Sequence, residues 1–84
     1  MIVQIYSVYD KKAGSYLQPF FIQNEGMAIR AVTELVNDTD HALHKHAQDY
    51  SLFRIGNYDD SKGTIDSEIN PHPIINFLEI QAGN

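Results

Sequence analysis

Residues 24–38 read "NEGMAIRAVTELVND", and whether this stretch is a helix decides the fold. Ala28, Ala31, Val32, Leu35 and Val36 recur at three- and four-residue spacing, which puts them on one stripe of a helix. Asn24 stands where a side-chain oxygen would cap the first turn, and Glu25 follows where the helix dipole favours an acid. Arg30 and Glu34 are four apart on the opposite face, a solvated pair worth a few tenths of a kcal/mol. Asn37 and Asp38 end the stretch. A single helix is therefore expected here.

Working outward, strands flank the helix on both sides. "IVQIYSVY" (2–9) is β-branched and aromatic, with Val3 and Ile5 on one face and Ile2, Tyr6 and Val8 on the other. Apolar groups on both faces predict a central strand. Residues 10–16 form a polar turn with Gly14 available for positive φ, and "LQPFFIQ" (17–23) reads as a second strand. Pro19 removes one ladder donor there and pushes the strand to an edge or an irregular start. After the helix, residues 38–49 read as a polar loop. "YSLFRIGNY" (50–58) and "TIDSEI" (64–69) then form a hairpin across "DDSKG", with Gly63 at the left-handed position. "NPHP" reads as a breaker. "IINFLEIQ" (74–81) fits a strand or a short helix, and its β-branched content favours strand. The expected class is α+β: a small antiparallel sheet of four or five strands with one helix packed on it, ββαββ plus a C-terminal strand.

Eighty-four residues leave room for one domain, 1–84. The absence of cysteine excludes disulfides and thiolate zinc sites and fits a reducing compartment. No basic leader precedes the alternating first strand, so a signal peptide is not expected, and nothing approaches the roughly 20 apolar residues of a membrane span. A cytosolic protein is expected. Eleven acidic against six basic residues give a net charge of −5, which opposes general polyanion binding. Five tyrosines and four phenylalanines supply core material and make disorder an unsuitable reading.

Three segments carry a resemblance: "VYDKKAGSYLQPFF", "AIRAVTELVNDTDH" and "HAQDYSLFRIGNYDDSKGTI". Together they resemble the small nonstructural protein of gokushovirus-type microviruses, the single-stranded-DNA phages. The pattern "VYD.KA..Y..PFF", "AIR......ND..H", "H..DY.LF.IG..D...G" is met at Tyr9, Asp10, Lys12, Ala13, Tyr16, Pro19, Phe20 and Phe21. It is met again at Ala28, Ile29, Arg30, Asn37, Asp38 and His41, and then at His46, Asp49, Tyr50, Leu52, Phe53, Ile55, Gly56, Asp59 and Gly63. The match spans about residues 6–65. The chain departs from it at Ala47 and Thr39, where the family usually or often has proline, and the segment after Glu68 lies outside it. The resemblance implies an early, non-virion phage product acting in replication or packaging of a single-stranded-DNA genome in the host cytoplasm. It implies no catalytic residues.

The chain's own chemistry points the same way. "HALHKH" (41–46) places three histidines beside Asp38, Asp40 and Asp49, but neither the spacing nor an adjacent Glu matches a helical zinc-protease pair. A structural loop without metal is expected, with His41 and His46 holding it by hydrogen bonds. No cysteine nucleophile exists, no serine sits in a Gly-rich elbow, and Asp59-Asp60 is turn chemistry. An enzyme is not expected, nor any cofactor. Lys11, Lys12, Tyr16, Arg30, Lys45 and Arg54 are the candidate nucleic-acid contacts, since cations beside sheet aromatics are how many single-strand binders work.

Two functional readings follow. The first is an accessory protein that supports single-stranded-DNA replication or packaging, by weak DNA binding or by binding a phage replication or capsid-assembly protein. The second is a homo-oligomeric interaction module that regulates such a protein without touching DNA. A metal-dependent nuclease stands well behind both. Ile74, Ile75, Phe77, Leu78 and Ile80 crowd the tail, so a homodimer or higher symmetric oligomer with that segment at its interface is expected.

Overall fold

The computed structural model describes residues 1–83. Its sheet is antiparallel throughout, built from β1 (Ile2–Asp10), β2 (Ser15–Tyr16), β3 (Phe20–Ile22), β4 (Tyr50–Asp59) and β5 (Thr64–Asn76). β1 lies between β4 and the two short strands β2 and β3, and β5 forms the far edge. The central place expected of β1 is thus observed. The α+β class also holds. The expected 17–23 strand is interrupted: Leu17 to Pro19 separate β2 from β3, both on β1, because proline has no N–H for the ladder.

The helix α1 (Glu25–Val36) forms as expected, with the Asn24 Oδ1 accepting from the Met27 N–H at 2.9 Å. Ala28, Val32 and Val36 are buried, while Leu35 is left exposed and Ile29 packs at the core margin instead. The stretch read as a polar loop contains α2 (Ala42–Lys45) and a 3-10 turn (Ala47–Asp49), because Leu43 and Ala47 reach the core and pin it.

The tail corrects two expectations. "NPHP" does not break the chain: β5 runs on through Pro71 and Pro73 to Asn76, as an edge strand can, since an edge has N–H positions that need no partner. It does so through a wide bulge, for Arg54 pairs with His72 and Gly56 with Ser67, leaving residues 68–71 opposite Ile55. Of the strand and short helix that fitted 74–81, the favoured strand holds only to Asn76 and the helix follows as α3 (Phe77–Ala82), which Asn76 caps through an Oδ1 accepting from the Leu78 N–H at 2.8 Å. The three-residue step from Phe77 to Ile80 places both on the inner side of that helix, and both are buried. Packed into the chain's own core, they no longer give a reason to place the tail at an interface.

All helices cover one face of the sheet. Tyr6, Val8 and Leu52 point into the core with Ala28, Val32, Val36, Leu43, Phe77 and Ile80. Alternation along the strands and direct pairing across them assign the opposite face. It carries Val3, Ile5, Ser7, Tyr9, Tyr16, Phe21, Ser51, Phe53, Tyr58, Ile65, Ser67, Pro73 and Asn76. No charged side chain occurs among these paired positions. Asp10, Arg54, Asp59 and Asp66 all fall on the helix-bearing side.

Candidate nucleic-acid interface

The β1–β2 turn is a rigid platform for two adjacent lysines. The Asp10 carboxylate accepts from the backbone N–H of Lys12 (3.0 Å) and of Ala13 (3.1 Å), and Gly14 adopts φ +70° to close the turn onto the Asp10 carbonyl. The Lys11 N–H donates to the Asp49 carbonyl at 2.8 Å, which fastens the turn to the 3-10 turn. Held by their backbone, Lys11 and Lys12 leave their side chains exposed.

Two surfaces meet at this turn. On the open face Tyr16 pairs with Tyr9, and their rings lie 4.7 Å apart. Phe53 meets them edge-on, 6.0 Å from Tyr9 and 5.6 Å from Tyr16, making a three-ring cluster. Tyr16 is 43% exposed, so part of its ring remains free for stacking. On the helix side, the pairing of Asp10 with Tyr50 brings residues forty apart in sequence together. There a cleft of about 320 Å³ is lined by Asp10, Lys12, Ala13, His46, Asp49 and Tyr50. Burial, then the Asp10 and Asp49 carboxylates, push the Tyr50 phenol above its ordinary pKa.

Lys11, Lys12 and Tyr16 therefore share the β1–β2 hairpin, with Lys12 on the cleft side and Tyr16 on the open face, while the other three candidates stand on separate elements. Arg30 is exposed on α1 and Lys45 ends α2. Arg54 lies mid-β4 with its Nε 3.4 Å from a Glu68 carboxylate oxygen, an ion pair that competes with any phosphate. The cleft residues His46, Asp49 and Tyr50 were not among the sequence-derived candidates. All six lining residues nonetheless lie on the quoted pattern, in "VYD.KA" and "H..DY", and that coincidence was the available signal.

The histidine run divides its roles differently from expectation. His41 caps α2, its Nδ1 accepting from the Leu43 N–H at 3.1 Å. His44, rather than His46, makes the second tie: its Nδ1–H donates to the Val36 carbonyl at 2.7 Å. Gln81 Nε2 donates to the His44 carbonyl at 2.9 Å, so α3 is joined to the same loop. His46 is exposed and makes no capping bond; it faces the cleft instead. Among the described residues no three His, Asp or Glu side chains converge as metal ligands would. Nor is any helix long and apolar enough to cross a membrane.

Comparison with known proteins adds identity. Residues 3–80 match the family model described as "Phage ORF5 protein". A curated relative, Protein ORF5 of Chlamydia phage 1, a gokushovirus, is 39% identical over 62 residues, 69% of this chain. The match spans 65% of that relative, somewhat under two thirds of its length. No solved structure matches the chain. With nearly its whole length on the family model and a microvirus relative beside it, this chain belongs to the phage ORF5 protein family.

Proposed function

We propose that this chain is a non-catalytic accessory protein of a single-stranded-DNA phage, acting in genome replication or packaging in the host cytoplasm through weak single-stranded-DNA contact at the β1–β2 turn. One feature supports the reading: the exposed turn that bears Lys11 and Lys12 joins β1 to β2, whose Tyr9 and Tyr16 rings cluster with Phe53 on the open face, while Lys12 lines the cleft of His46 and Tyr50 on the helix side. Cations that meet phosphates next to rings that stack bases are the working parts of sequence-tolerant single-strand binding. The small number of cations makes the contact weak. Fluorescence anisotropy with a labelled single strand tests it. Two phosphates neutralised give a slope of about −1.4 in log affinity against log salt. Replacing both lysines by alanine removes that slope, and Tyr16→Ala costs about 1–3 kcal/mol of binding. Absence of binding by micromolar protein at low salt overturns the reading.

The second reading, a module that regulates a replication or assembly protein without touching DNA, is favoured by the net charge of −5. It gives no salt-dependent DNA binding under the same conditions.

A further inference from the structure

The helix-free face of the sheet is both apolar and uncharged, an unusual combination for a surface left to water. Phe21 is 52% exposed and Ile65 59%, and the Phe21 ring meets Tyr58 edge-on at 5.7 Å. With the half-buried Val3, and over the buried Ile5, they extend the aromatic surface from the Tyr9 cluster along β1 towards the β4–β5 hairpin. We propose that a second copy of this chain covers this face, the two open sheets packing against each other as a homodimer.

The charge distribution selects the occupant. A polyanion needs cations where it lies, and a strongly basic partner needs acids; the paired positions of this face supply neither. What fits is another apolar, uncharged surface, because only such a surface loses no charge solvation on contact. The chain carries one, and a two-fold axis sets it against itself. Size agrees. Four strand positions across and about seven residues along give a footprint of roughly 20 × 25 Å before side-chain relief is counted. That is the order of the about 800 Å² per partner buried in stable interfaces. Sheets packed in this way sit about 10 Å apart, a spacing that Phe21, Tyr58 and Ile65 can fill. The dimer forms without DNA, and because Tyr9, Tyr16 and Phe53 share this face, a bound single strand and the second copy compete for those rings.

Sedimentation equilibrium of the full chain tests it, over a dilution series reaching hundreds of micromolar, in physiological and in molar salt. The expected mass is twice 9.5 kDa, and it persists in molar salt because no charges cross the interface. Phe21→Glu and Ile65→Lys, each at an exposed position, return the protein to 9.5 kDa with its circular dichroism unchanged. Leu78→Glu, 48% exposed on α3, leaves the dimer intact. A wild-type monomer throughout overturns the proposal. So does a dimer that survives both face variants, one that dissolves in molar salt, or one that Leu78→Glu disrupts. Should either face variant fail to fold, the other decides.

Discussion

The Nδ1–H of His44 donates to the carbonyl of Val36 at 2.7 Å, joining the last turn of α1 to α2 across eight residues. Helix ends leave their last carbonyls without intrahelical donors, and an imidazole supplies one here. His44→Ala is expected to destabilise the fold by about 1 kcal/mol in urea titration, the usual net worth of one hydrogen bond. A chelator is expected to leave the melting temperature of the untagged wild type unchanged. A chelator-induced drop would reopen metal binding, because the free energy of holding a metal adds to that of folding.

Phe77 carries the tail's contribution to the core. It is fully buried, and its ring centroid lies 5.9 Å from that of Tyr50. Phe77→Ala is expected to cost about 3–5 kcal/mol through lost burial and a residual cavity. For a domain of this size that is a large share of the stability, so the melting temperature followed by circular dichroism should fall by about 12–40 °C. A small loss would mean that α3 is only a loose cover.

Gly56 is required by contact rather than by conformation. A Cβ at that position would stand 2.6 Å from the Asp66 carbonyl oxygen, a backbone atom on the neighbouring strand. Gly56→Ala is expected to destabilise by about 1–3 kcal/mol as the strands separate locally. Hydrogen exchange should show faster amides across the β4–β5 pairing, with those of α1 changed only by the global loss.

Two tyrosines set an alkaline limit. Tyr6 and Tyr50 are raised above the ordinary tyrosine pKa, each chiefly by burial. Where the folded pKa exceeds the unfolded one, the native state holds its proton longer, and stability falls as pH rises. Their contribution is whole below the unfolded value near 10 and is lost as pH climbs through the raised folded values. The share of phenolate absorbance that belongs to Tyr6 and Tyr50 should therefore lag in the native protein and appear together with unfolding. Full titration of all five tyrosines near pH 10 with the fold intact would contradict this.

Local pattern made α1 legible, because a capping Asn24 and a stripe through Ala28, Val32 and Val36 agree with the burial found. The hairpin of 50–58 and 64–69 was equally plain, down to Gly63 at φ +68°. The tail was not. Five apolar residues in seven positions fit a strand or a helix alike, so the three-residue step from Phe77 to Ile80 and the Asn76 cap did not outweigh the β-branched content. The two prolines concealed a strand, because their cost depends on whether the strand lies at an edge, which is a tertiary fact. The same holds at the candidate site. Lys11, Lys12 and Tyr16 are close in sequence and share one hairpin, whereas the cleft needs Asp10 opposite Tyr50, a register that only the folded sheet defines.

The bulge at residues 68–71 has a consequence for how copies of this chain can accumulate. An outermost strand is normally a template on which further strands polymerise. Here the template is spoiled halfway along: four residues arch away opposite Ile55, and Pro71 and Pro73 offer no N–H to an incoming backbone. A strand docking on the straight part, from Thr64 to Ser67, would run out of ladder within a few residues. The β5 border thus resists open-ended strand addition, the route by which crowded sheet edges grow into fibres.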